Sequence, residues 1–346
     1  MAPLPVIQAG MGVQIGKSEL AAAVARAGGI GCISSVGLGT LESSLHNYIQ
    51  ESNEKLTFEI RNARLKAPGG ILAVNVMMAL SNYDEIVKVC VREKVDIIIS
   101  GAGLPLGLPG LTAGSGIKIV PVISSGRSLN VILKTWNRRY QRMPDGVIIE
   151  GPLCGGHLAF SWEQLAHPEQ VSIDKLLKDV KAVLAPFEAD YGCRIPVLGA
   201  ENIATCEDIV AMLKMGFDGV QIGTRFICTE EAGIDLRSKQ VFVRAGEHDT
   251  VTIQSPLGMP VKVLRTPFSE RIIRGEKIPF GCPFLCLRAC KADKAHFCLA
   301  EALVDTLFGN TEKGLFMTGS AIGRINNIIP AAEFLEPLRK MLEAGK

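Results

Sequence analysis

The stretch of this chain best suited to chemistry is Gly151-Pro152-Leu153-Cys154-Gly155-Gly156-His157. It directly follows Gly146-Val147-Ile148-Ile149-Glu150, an apolar run that reads as a buried strand. Paired glycines let a flat ligand lie against the main chain, because no Cβ stands in the way. Histidine titrates nearest to neutrality and is the commonest general acid or base. Taken alone, a Gly-Gly-His triplet is more often a tight turn followed by a loop histidine. Its weight depends on the elements around it.

Those elements alternate. Apolar runs at 6–11, 29–35, 71–78, 96–100, 117–124, 146–151, 195–200 and 219–226 read as strands. Helical stretches lie between them. One is capped by Ser18 and carries Leu20, Val24 and Ala27, one opens at Ser81 and Asp84, and others span 128–142 and 205–215. Near-continuous apolar strands alternating with helices imply parallel strands covered on the outside. Eight of them predict an α/β fold, a closed TIM (β/α)8 barrel, with an inserted lid or subdomain after strand eight. An open doubly wound sheet is the alternative, but no glycine-rich fingerprint follows the first strand. The expected division is a barrel over 1–229, a lid over 230–300, and a C-terminal helical segment over 301–346 that packs back on the barrel.

The bulk composition agrees with an ordinary soluble globular protein. The chain has 346 residues, 47% of them hydrophobic and 21% charged, with a net charge of +2 and no long single-sign block. That gives no footing for nucleic acid or an anionic membrane surface. No apolar run reaches the roughly 18 residues a membrane helix needs. The N-terminus lacks the basic and apolar regions of a signal peptide. Ten cysteines without secretory context suggest a reducing compartment, by default the cytoplasm.

Active sites of such barrels are built from the C-terminal ends of the strands. Strand one ends in Gln8-Ala9-Gly10-Met11-Gly12. Strand three delivers Asn75 from an apolar run, and strand six delivers Gly155, Gly156 and His157. Strand seven ends in Gly199-Ala200-Glu201-Asn202, and strand eight in Gln221-Ile222-Gly223-Thr224-Arg225. The loops after strands seven and eight are the usual phosphate position in this fold. Each small residue could be a plain tight turn. Five strand ends that agree on one concave, cofactor-sized face are harder to obtain by accident.

With these residues in view, the chain resembles the nitronate monooxygenases, formerly 2-nitropropane dioxygenases, and their relatives the flavin-type enoyl-acyl-carrier-protein reductases. The resemblance rests on Val6-Ile7-Gln8-Ala9-Gly10-Met11, Ala73-Val74-Asn75-Val76, Gly155-Gly156-His157, 217–226 and Gly314-Leu315-Phe316-Met317-Thr318-Gly319. It implies FMN at the barrel mouth. Ala9, Gly10 and Met11 would face its ring system, Asn75 would bond its polar edge, and Gly155 and Gly156 would line it. Gly199, Ala200, Gly223 and Thr224 would hold its phosphate with Gln221 nearby, and His157 would be the acid–base residue. The chain departs from the family pattern at Ala200-Glu201, at Cys154 and at Leu158-Ala159-Phe160.

Cys282, Cys286, Cys290 and Cys298 fall within seventeen residues, with spacing C-x3-C-x3-C-x7-C. Thiolates at that density could hold an iron–sulfur cluster or zinc, but the spacing matches none of the common patterns. A helix beginning at Pro283 would instead align the first three as core cysteines. The leading expectation is an FMN-dependent oxidoreductase that oxidises nitronates or nitroalkanes. The alternatives are an NAD(P)H-driven enoyl-thioester or quinone reductase, with an iron–sulfur cluster as an option, and a barrel that binds without catalysis. A small-molecule substrate is expected, NAD(P)H is a candidate partner, and a homodimer is a candidate assembly.

Overall fold

The structure is a computed structural model that describes residues 2–39, 45–282 and 286–344. Among these, the barrel strands are β1 (Val6–Gln8), β2 (Gly31–Ser34), β3 (Leu72–Met77), β4 (Ile97–Gly101), β5 (Lys118–Ile123) and β6 (Val147–Glu150). A short β7 (Gly156–His157) follows. The last two barrel strands are β8 (Val197–Ala200) and β9 (Gly219–Ile222). The eight barrel strands pair in parallel in the order β1-β9-β8-β6-β5-β4-β3-β2. Closure needs β2 to meet β1. There the ladder shrinks to one bridge, Ile7 to Ile30, and the Gln8 side chain completes it. Its Nε2 donates to the Cys32 carbonyl at 2.7 Å and its Oε1 accepts from the Cys32 N–H at 3.2 Å. The result is a TIM barrel.

Side chains alternate across each strand with a period of two. The inward set, Ile7, Cys32, Ala73, Ile99, Val120, Ile148 and Ala200, fills the barrel interior. The outward set joins the helices in the main core, around Val6, Val74, Ile98, Ile149 and Val220. The same alternation carries polar groups to the mouth. Asn75 follows inward Ala73, Glu150 follows inward Ile148, and Gln221 pairs with inward Ile7.

Helix boundaries follow their caps. Thr205 caps the helix Cys206–Met215 as expected. Ser18 does not cap; it is the first residue of the helix Ser18–Arg26. The Glu59 carboxylate, from the helix Leu45–Lys66, accepts there from the Ser18 N–H at 2.9 Å and from its hydroxyl at 2.5 Å. An anion at a helix N-terminus offsets the unpaired N–H groups and the macrodipole.

Beyond the barrel, β10 (Thr250–Gln254) and β11 (Pro260–Leu264) form an antiparallel hairpin, and β11 pairs with β7. The hairpin has its own apolar cluster, including Ile253, Val261, Val263, Phe268, Phe297, Leu303 and Leu315. We call this unit the cap. The helix Leu299–Leu307 buries its apolar face in that cluster rather than on the barrel. The helix Ala331–Ala344 returns to the barrel wall, where Arg339 donates to the Ala27 carbonyl at 2.6 Å. Among the described residues, no helix is long and apolar enough to cross a membrane.

Candidate active site

A cavity of about 220 Å³ lies between the strand ends and the cap. The barrel side contributes Ala9, Gly10, Met11, Asn75, Glu150, Ala200, Glu201, Gln221, Gly223 and Thr224. The turn after β6 adds Cys154, Gly155 and Gly156. The cap side adds Leu303, Thr306, Leu315, Met317 and Gly319.

Close approach explains two of the glycines. A Cβ on Gly10 would fall 2.2 Å from Asn75 Cβ, so only glycine lets strand one pass beneath the Asn75 amide. A Cβ on Gly155 would fall 2.4 Å from the Thr318 carbonyl carbon, where the 315–319 segment presses on the turn. Ser320 N–H donates to the Leu153 carbonyl at 3.0 Å, which fastens the same contact. Two sequence-distant glycine segments thus form one wall.

Gly199 departs from expectation. Its Cβ position lies 2.3 Å from Met212 Cε and 3.1 Å from a Phe217 ring carbon, so it faces the outer helix layer. It is absent from the cavity wall, because the strand alternation that turns Leu198 and Ala200 inward turns Gly199 out. Arg225 also points away. Its guanidinium donates to Asn327 Oδ1 and to the Asn327 carbonyl, both at 2.8 Å, and to the Cys228 carbonyl. Among the described residues it makes no ion pair. The Thr224 hydroxyl accepts from the Gly319 N–H at 3.1 Å.

The structure does not bring His157 to the cavity wall either. Its backbone is a rung of the cap sheet, opposite Val261. Its Nε2 is buried without a hydrogen-bond partner, and burial pushes the imidazole down to about 4. It is neutral at pH 7.

The polar groups on the wall are differently placed. The amides of Asn75 and Gln221 lie on the wall, and Gln221 Oε1 is buried without a partner. Glu150 also lines the cavity, and burial alone pushes its carboxyl up to about 7. Glu201 turns aside and accepts from the Leu153 N–H at 2.6 Å. Burial still raises it, opposed by that bond and by Lys262. Lys262, from β11, donates to the Pro152 carbonyl at 3.1 Å and to Ser320 Oγ at 3.0 Å. The Cys154 thiol donates to the Ala200 carbonyl and is held protonated by burial, with Glu150 and Glu201 adding to the effect. Glu150 and Lys262 were missed in the sequence. The signal for Glu150 was available: a carboxylate that ends an apolar strand in the inward phase.

The cysteine cluster behaves as packing. Cys286 and Cys290 lie against the cap core, and burial, then Cys298, Cys282 and Cys290, pushes the Cys286 thiol up to about 12. Among the described residues, no three metal-binding side chains are gathered as a metal site, although Cys282, Cys290 and Cys298 all lie near enough to Cys286 to act on its thiol. Pro283 lies outside the described residues. From Cys286 onward the chain makes a bridge from Leu287 to Leu80 and then turns, so Cys286 and Cys290 share no helix.

Residues 2–340 match the family model for nitronate monooxygenase. The chain belongs to the nitronate monooxygenase family. It is therefore an oxidoreductase. The family relatives include a probable nitronate monooxygenase of Staphylococcus saprophyticus, 26% identical over 78% of this chain and 77% of that one. A Mycobacterium tuberculosis (3aS,4S,5R,7aS)-5-hydroxy-7a-methyl-1-oxo-octahydro-1H-indene-4-carboxyl-CoA dehydrogenase is 24% identical over 96% of this chain and 91% of its own length. Among solved structures, FabK from Thermotoga maritima superposes with a TM-score of 0.76 at 28% identity, covering 99% of this chain and 95% of its own.

Proposed function

We propose that this member of the family is an FMN-dependent oxidoreductase that oxidises nitronates at the cavity between barrel and cap. The observation that carries the reading is the wall itself: glycine-lined backbone on two sides, with the Asn75 amide and the orphaned Gln221 Oε1 between them. A buried acceptor without a partner costs about 1–3 kcal/mol, so it marks a place where a ligand donor belongs. The polar pyrimidine edge of a flavin supplies such a donor. In this reading Asn75 and Gln221 orient the cofactor, Gly10, Gly155 and Gly156 leave room for its flat face, and Gly223 and Thr224 take its phosphate. When bound, FMN supplies the electron chemistry. The residues of the chain bind, orient and exclude water. His157 follows the lining Gly156, is neutral at pH 7 and has its Nε2 unpaired, so in this reading it remains the candidate acid–base residue.

A second reading, a reductase of thioester substrates, has an observation of its own. Relatives matched along nearly the whole chain include a carboxyl-CoA dehydrogenase. The test begins with titration of FMN into flavin-free protein, where saturable binding is expected. Anaerobic bleaching by propyl nitronate, and none by NAD(P)H, supports the first reading. Bleaching by NAD(P)H with turnover of an enoyl thioester supports the second. A chain that does not bind FMN removes both.

A further inference from the structure

Two carboxylates and a thiol on the cavity wall, with an ammonium behind them, gather at the turn after β6, and they are not equivalent. Glu201 is tied to the Leu153 N–H, and Lys262 is tied to the Pro152 carbonyl and to Ser320. The Cys154 thiol is spent on the Ala200 carbonyl. Glu150 alone has no hydrogen bond and no ion pair to a described residue, although it lies on the wall. Its strand phase fixes that orientation, because Ile148 two residues earlier points into the barrel interior. The Glu150 carboxyl therefore depends on cavity water for its solvation.

We propose that Glu150 is a proton-linked specificity residue: the cavity takes in its anionic occupants together with one proton, which Glu150 holds as a carboxylic acid. This deepens the flavin reading and rests on it. An ionised Glu150 would lose its water when the cavity fills and would also repel a phosphate or a nitronate. Binding a solvent proton removes both penalties, forming one O–H bond with no electron transferred. The titratable groups around it fit this assignment. Cys154 is a neutral thiol, Glu201 keeps its own hydrogen bond, and the Lys262 ammonium is shared with Cys154 and Glu201. Burial, with no countercharge, already sets the Glu150 carboxyl at about 7 before any ligand enters.

The test is calorimetric titration of FMN into the flavin-free full chain at pH 8, where the phosphate is fully ionised, in two buffers of different ionisation enthalpy. The wild type is expected to take up about 0.4–0.9 proton per FMN, as a carboxyl near 7 that is raised to 8 or above requires. Glu150→Gln should bind FMN with almost no uptake, and Glu201→Gln should keep the wild-type value. FMN binding to the wild type without proton uptake overturns the proposal and leaves the flavin reading standing. Undiminished uptake in Glu150→Gln also overturns it. Absence of FMN binding overturns both. Should Glu150→Gln not fold, the infrared difference spectrum of the wild type decides. A carboxylic-acid carbonyl band that grows on FMN binding supports the proposal, and its absence overturns it.

Discussion

The barrel and the cap each bury one titratable group beside the same cavity, and pH acts on the two in opposite senses. Glu150 ends a barrel strand, and burial raises its carboxyl to about 7. His157 is a rung of the cap sheet, and burial lowers its imidazole to about 4. Both are driven toward neutrality by loss of water rather than by a partner charge. The difference lies in what faces them. Glu150 lies on the cavity wall, while His157, next to the lining Gly156, has its Nε2 buried without a partner. The barrel group therefore opens on the cavity, and the cap group lies just behind its wall.

The most forceful way to break that division is at the joint. Gly155→Val should clash with the Thr318 backbone, detach the cap wall and cost about 3 kcal/mol or more. Limited proteolysis should then cut within 250–325 while the barrel resists. Simultaneous loss of both units would show that the cap is not a separable enclosure.

The pH dependence sharpens the comparison at roughly 3 kcal/mol on each side. For His157 the folded value is depressed. Its contribution is fully present above about 6.5 and is lost as pH falls toward about 4, because the unfolded chain binds the proton more readily. For Glu150 the folded value is raised. Its contribution is present below about 4.5 and is lost as pH rises through about 7. Denaturation of His157→Asn against pH should flatten the acid limb, and Glu150→Gln should flatten the limb between 4.5 and 7. A slope unchanged in either variant would remove that group from the account.

The seam of the barrel offers a smaller effect. Gln8→Leu leaves the Cys32 N–H and carbonyl unpaired in the interior and should cost about 2 kcal/mol in urea unfolding, without altering the cap. Lys262→Met should cost about 1–2 kcal/mol, because it leaves a carbonyl and a hydroxyl unpaired and takes the ammonium away from Glu201. If its loss exceeds that of Gln8→Leu, Lys262 is a main fastening of cap to barrel.

Legibility divides along the same line. Asn75, Gln221 and Gly10 could be placed from the sequence, because a strand of period two that ends at a barrel mouth leaves each residue one orientation. The same rule places Glu150 inward and Gly199 outward, and reading strand ends as clusters of small residues passed over the first and set the second at the phosphate. His157 illustrates the opposite case. Its neighbours in sequence belong to the wall, but its pairing with Val261 spans about a hundred residues and turns it into cap sheet. The cysteine spacing suggested a ligand set, and the fold sets Cys286 and Cys290 of that set against the cap core.

The sequence by itself determined the eight-strand alternation, the glycine-lined mouth and the amides that face it, because these follow from local periodicity and from the space a missing Cβ leaves. Only the tertiary structure decided which titratable group meets the cavity. That choice depends on antiparallel pairing between distant segments, which withdraws one group from water into the joint and leaves the other open to whatever the cavity holds.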